Sequence, residues 1–138
     1  MIIKDTNALR EGSEIRSLLI DEANLADRFF VIVLNSRRDR YEIQRISESV
    51  WFIPANLWTM WAAPFVVARI ARRELFFQGR LHADLIAAYD PCESGIVGVY
   101  LSKLYRKPLH VHIEQNVFLP RYRTASFGNL IRARLARF

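Results

Sequence analysis

Three groups of side chains in this sequence have the types and spacing to do chemistry. Asp90-Pro91-Cys92-Glu93-Ser94 places two carboxylates, a thiol and a hydroxyl just ahead of Gly95. His110, His112 and Glu114 recur at every second position, and Gly12-Ser13 precedes a helical-looking segment. Carboxylates can accept hydrogen bonds from sugar-type hydroxyls or act as bases. A glycine at a helix start lets backbone N–H groups approach an anion closely. Each feature also has a plain structural reading: Asp90 as a helix cap, Ser13 as a cap of Arg16, Glu114 as a solvent-facing carboxylate.

His110, His112 and Glu114 fall on one face of an extended strand. That spacing suits a zinc ion, but tight sites require further ligands. His82 is the one other histidine and is expected at the opposite end of the sheet, so core or cleft histidines are the simpler reading and no metal is expected. Cys92 is the single cysteine, so no internal disulfide can form and a reducing compartment fits. A helix start can lower a thiol pKa, yet no histidine partner is evident, and a small packing residue is the simpler reading.

The elements that must position these residues follow from periodicity. Ala83–Tyr89 reads as a strand, Asp90-Pro91 as a stop, Glu93–Tyr105 as a helix and Leu109–Glu114 as a second strand. Strand, crossover helix and strand make a parallel unit, and open α/β sheets bind ligands at the carboxyl ends of such strands. Ile96, Val97, Tyr100, Leu101 and Leu104 form the expected apolar stripe of the helix, and Gly95 and Gly98 permit close approach to a sheet or a ligand.

Upstream, Met1–Lys4 reads as a short strand and Asp5–Glu11 as a loop. Ser13–Ala26 reads as an amphipathic helix with Ile15, Leu18, Leu19, Glu22 and Leu25 at helical spacing and only Glu22 out of character. Phe29–Leu34 is a buried strand, Ser36–Arg40 a charged turn, and Tyr41–Ile46 and Val50–Pro54 shorter strands. Asn56 reads as a helix cap, and Trp58–Phe77 as mostly helix with its first turns disturbed by Pro64. Ser126–Phe138 reads as a closing basic helix. Tyr89, Trp51, Trp58 and Trp61 read as core or cleft wall. The alternation predicts an α/β class: a Rossmann-like open, mostly parallel sheet with helices on both faces.

The 138 residues suffice for one domain, and 51% apolar content is that of a globular chain. A net charge of +6 permits an anionic partner without choosing one. Ser49–Ala68 carries no charge and has the length of a membrane span, but Pro54, Asn56 and Pro64 divide it into a strand and a helix. No secretory leader opens the chain.

In order and spacing, several motifs resemble the N-terminal domain of GT-B-fold glycosyltransferases of family four. They are Tyr89-Asp90-Pro91, Ser94-Gly95-Ile96-Val97-Gly98 (the family's SG-x-x-G helix), and the Lys107-Pro108 turn into a strand. Arg10–Arg16 resembles the family's first loop, and Ile46–Trp51 with Pro54-Ala55-Asn56 resembles one bacterial branch. The resemblance covers nearly all of residues 1–138.

It implies one half of a GT-B fold, the acceptor-side domain of a retaining enzyme that moves a sugar from a nucleotide-diphosphate sugar to a hydroxyl acceptor without a required metal or cofactor. The donor-binding C-terminal domain, which in that family carries a Glu-x7-Glu motif, is absent from these residues. The domain is therefore expected to be incomplete at its C-terminus, and turnover is not expected from this polypeptide by itself. Residue by residue, the resemblance assigns the donor phosphates to Gly12 and Ser13 and the acceptor to Asp90, Glu93, Ser94, Gln115 and Asn116. Glu114 stands where the family has a catalytic histidine, which makes it the catalytic candidate and puts the family's chemical detail in question here.

The expected partners are a nucleotide sugar and a glycan or lipid-linked acceptor, in the cytoplasm or at the inner face of its membrane. The basic C-terminal helix would supply peripheral membrane contact. A non-catalytic α/β module binding a nucleotide or a protein is the alternative. Charge alone suggests nucleic acid, and no RNA-recognition, zinc-finger or helix-turn-helix signature supports it.

Overall fold

The computed structural model describes residues 1–77 and 80–113. Glu114, Gln115, Asn116 and the Ser126–Phe138 helix lie outside the described residues.

In chain order the elements are β1 (Ile2–Ile3), α1 (Glu14–Ala23), β2 (Phe29–Val33), β3 (Gln44–Arg45), β4 (Val50–Pro54), α2 (Ala63–Glu74), β5 (Phe76–Phe77), β6 (Arg80–Leu81), β7 (Ile86–Ala88), α3 (Glu93–Tyr105) and β8 (Leu109–Val111). Single 3₁₀ turns occupy Thr6–Leu9 and Met60–Ala62. The main sheet has the order β3-β4-β2-β1-β7-β8, and β5 and β6 form a separate hairpin. Every pairing of the main sheet is parallel except β3 with β4 at the edge. The protein is thus an α/β fold with a Rossmann-like open sheet.

Strand β2 is a continuous apolar run because it lies inside a parallel sheet covered on both faces. It pairs with β4 from Phe29↔Val50 to Val33↔Pro54. The period of two then sorts the side chains by face. Ile2, Ile32 and Ile53 pack with Val67, Val97 and Leu101, on the side of α2 and α3. Ile3, Val31, Val33 and Phe52 pack with Leu19 and Ala23, on the side of α1.

Several expectations are corrected. The buried face of α1 is Arg16, Leu19 and Ala23, whereas Leu18 and Leu25 are exposed. Arg16 is buried because its guanidinium lies 5.3 Å from the Phe52 ring centroid and donates to Gln44 Oε1 at 2.5 Å. The Asp5–Glu11 loop holds the 3₁₀ turn, whose Ala8 and Leu9 enter the core.

Asn56 does not cap a helix. It adopts a left-handed φ of 47° and ties the turn together, its Oδ1 accepting from Asn35 Nδ2 at 2.8 Å and its Nδ2 donating to the Tyr41 carbonyl at 3.0 Å. Only Gln44–Arg45 of the expected Tyr41–Ile46 strand pairs. Helix α2 begins after the Trp58–Ala62 turn, with Pro64 in its first turn, where a missing N–H costs nothing. It ends at Glu74, and Phe76–Phe77 leave in the β5–β6 hairpin. On α3 the buried face is Ser94, Gly95, Val97, Gly98 and Leu101, while Ile96 and Leu104 are exposed. Trp58 and Trp61 are neither core nor cleft wall; both are among the most exposed large apolar residues.

Candidate functional site

β1 and β7 are adjacent and parallel, yet their connections leave on opposite faces, β1 into α1 and β7 into α3. Such a switch point opens a crevice beyond the strand ends, where α/β folds of this kind bind ligands. The residues that frame it come from three short connections.

On the α3 side, Asp90 lies two residues past the end of β7. Its Oδ1 accepts from the Cys92 N–H at 2.7 Å and its Oδ2 from the Ser94 N–H at 3.3 Å. A carboxylate holding two otherwise orphaned N–H groups is a cap, and the negative charge also suits the positive end of the helix. Glu93, in the first turn of α3, reaches across to Lys4 at the tip of β1, with Nζ and Oε1 2.5 Å apart. Lys4 points to this side because it shares the face of Ile2, two residues earlier. This ion pair spans the crevice.

Gly95 and Gly98 serve packing. A Cβ on Gly95 would lie 2.9 Å from the Asp90 carbonyl oxygen. One on Gly98 would lie 2.8 Å from Leu109 Cδ1 and 3.3 Å from the Ala88 Cβ. Gly98 thus lets α3 lie hard against β7 and β8, and Gly95 lets its first turn close on the backbone of the β7–α3 connection. Ser94 is fully buried at the helix start, and among the described residues its hydroxyl has no hydrogen-bond partner.

On the α1 side, Ser13 caps the helix, its Oγ accepting from the Arg16 N–H at 3.3 Å and donating to the Asn7 carbonyl at 2.6 Å. Gly12 has a φ of 75°, a left-handed conformation that favours glycine, and no atom of the described residues lies within 4 Å of where its Cβ would stand. Tyr89 packs against the α1-side core and stacks on His112, with centroids 4.9 Å apart and planes 24° apart. The His112 N–H donates to the Ala88 carbonyl at 2.8 Å, so the chain follows β7 beyond the end of β8.

The structure therefore gathers Asp90, Glu93 and Ser94 at one corner and Gly12 and Ser13 at the neighbouring loop across the sheet. Lys4 is a residue the sequence reading passed over. The signal that could have found it is parity: it is the charged residue in phase with Ile2 at the end of a central strand. Asp90, Cys92 and Glu93 bring possible ligand atoms within 4.8 Å of one another. Both Asp90 oxygens already accept N–H groups and Glu93 already pairs with Lys4, so this corner is arranged as a cap and a bridge.

A second concavity lies toward the β3–β4 edge of the sheet, also at the carboxyl ends of its parallel strands. It is an open groove of about 510 Å³ between the β4 terminus, the Tyr41–Ile43 segment and α2, with Ile53, Val66 and Ile70 inside and Arg69 and Arg73 at its wall. The Arg73 guanidinium is paired with Glu74 at 2.6 Å. Compared with protein-family models, with curated proteins and with solved structures, the chain shows no match in any of the three.

Proposed function

We propose that this chain is the acceptor-side domain of a retaining glycosyltransferase, and that a hydroxyl-bearing acceptor binds at the carboxyl ends of β1 and β7. The observation that carries the reading is positional. The motif residues singled out by the resemblance, Gly12-Ser13 and Asp90–Ser94, border the switch point between β1 and β7. Their neighbours suit a sugar: the Lys4–Glu93 pair offers both a donor and an acceptor of hydrogen bonds.

Glycosyl transfer leaves negative charge on the departing diphosphate. The amino end of α1, opened by Gly12 and capped by Ser13, presents backbone N–H groups where such charge is stabilised. Glu93 would orient the acceptor by taking a hydroxyl hydrogen bond, with Lys4 turning from the carboxylate to the ligand. Glu114, outside the described residues, remains the proposed catalytic group. No metal or cofactor is part of this scheme.

The test is to express the complete reading frame that encodes the chain and to measure nucleoside diphosphate release with a panel of nucleotide sugars and hydroxyl acceptors. Turnover that Glu93→Gln weakens through the acceptor KM supports the reading. Tight binding of a nucleotide or protein without turnover replaces it with a non-catalytic binding module. The observation favouring that second reading is the commitment of both Asp90 oxygens to the backbone, which leaves Asp90 poorly placed to act as a base.

A further inference from the structure

Isolated exposed apolar side chains are ordinary on any protein, but clusters of large ones are not. Within eight residues this chain exposes Trp58 to 81%, Trp61 to 86% and Phe65 to 67%. The fold does not need these rings, since Leu57, Ala63 and Val67 fill the core beneath the same segment. Trp61 and Phe65 are one turn apart where the 3₁₀ turn runs into α2. The Phe65 ring meets Tyr100 of α3 edge-on at 5.7 Å, and Ile96, one turn before Tyr100, is itself exposed. The apolar surface thus continues from the β4–α2 connection onto α3.

A basic turn is fastened to this surface. The Arg37 N–H donates to the Leu57 carbonyl at 2.8 Å, and the Arg37 guanidinium lies 4.6 Å from the Trp58 ring centroid. Arg38 and Arg40 are exposed in the same turn, with Asp39 its one carboxylate, and exposed Arg69 follows Phe65 by one turn of α2.

We infer that this Trp58–Trp61–Phe65 surface with its arginine border docks on an anionic lipid surface. Tryptophan rings favour the membrane interface, and arginines beside them add attraction to acidic headgroups while their stems cover apolar surface. Rings more than four-fifths exposed stand clear of the protein and can enter an interfacial layer, whereas a sugar platform or a core would hold them against a wall. Among the described residues no helix is long and apolar enough to cross a membrane, so the contact is one of surface. The inference does not depend on glycosyl transfer, and it concerns different residues from the C-terminal basic segment expected to meet the membrane.

Co-sedimentation of the whole chain with vesicles of phosphatidylcholine, and with vesicles holding about one-third phosphatidylglycerol, tests it, together with tryptophan emission and quenching by brominated lipid. The expected result is preferential binding to the anionic vesicles, a blue shift and strong quenching. A Trp58→Ser/Trp61→Ser double variant should bind about tenfold more weakly, and Arg37→Gln/Arg38→Gln should lose the anionic preference. These positions are exposed, so unchanged circular dichroism is expected of both variants. Binding undiminished in the tryptophan variant would overturn the inference and move the contact elsewhere in the chain. Failure to bind either vesicle, or self-association that the tryptophan variant abolishes in the absence of lipid, would overturn it as well.

Discussion

Two corners of this molecule are built from the same parts and finished in opposite ways. The β7–α3 and β4–α2 connections both lie at the carboxyl ends of parallel strands and both lead to helices on the same face. At β7–α3 the Asp90 carboxylate caps the helix, Gly95 closes its first turn on the connection and Gly98 brings it onto the sheet. At β4–α2 the helix starts with no side-chain cap, and its first turns hold exposed aromatics. A tightly constrained corner tells where the backbone must go. A corner that spends large apolar side chains on solvent tells where something else arrives.

The largest effect expected from this contrast is at Gly95. Alanine is normally favoured over glycine within a helix by about 1 kcal/mol. Here its Cβ would press on the Asp90 carbonyl, a backbone atom that cannot swing aside. Gly95→Ala is therefore expected to destabilise by about 2 kcal/mol in chemical denaturation. Trp61→Ala, in the open corner, should shift stability by less than about 0.5 kcal/mol. Similar losses for the two substitutions would erase the distinction.

Asp90→Ala comes next, with an expected loss of about 1–2 kcal/mol from two freed N–H groups. A variant as stable as the parent would mean that Asp90 contributes no net capping energy.

What the sequence revealed in advance follows the same division. The bounds of β4 and α3 were legible, as was Ser13 capping Arg16, because strand alternation, a stop at Asp90-Pro91 and capping chemistry are all local signals. The parallel order was legible from the alternation of elements. The buried face of α1 was not. Arg16 looks like a surface residue until Phe52 and Gln44, far along the chain, receive its guanidinium. Trp58 and Trp61 look like core by type, and only the placement of Leu57, Ala63 and Val67 shows that the core is already full. Lys4 becomes a site residue only when β1 turns out to be central and next to β7.

A smaller and opposite effect is expected at Ser94, where a fully buried hydroxyl has no partner among the described residues. Removing an unsatisfied polar atom and gaining helix propensity together should stabilise, so Ser94→Ala is expected to gain about 1 kcal/mol. A loss of that size would show that the hydroxyl makes an interaction in solution, and would return Ser94 to the site as a binding residue.

The smallest effect concerns the strut that joins the two corners' helices. Tyr105 of α3 donates its hydroxyl hydrogen to the Ala68 carbonyl of α2 at 3.1 Å, and its ring packs against Phe76. Burial raises its pKa above the ordinary 10.0, and the nearby Arg72 charge opposes that rise only in part. A group with a raised folded pKa contributes stability that is complete below its unfolded value and is lost as pH climbs through the folded one. Stability should therefore fall with rising pH above 10.0, since the unfolded chain releases this proton first. Tyr105→Phe keeps the ring and removes the hydroxyl. It should cost about 0.5 kcal/mol at neutral pH and flatten that part of the alkaline slope. An alkaline slope identical in the variant would show that α2 and α3 are held together by packing alone, with no polar link between the constrained corner and the exposed one.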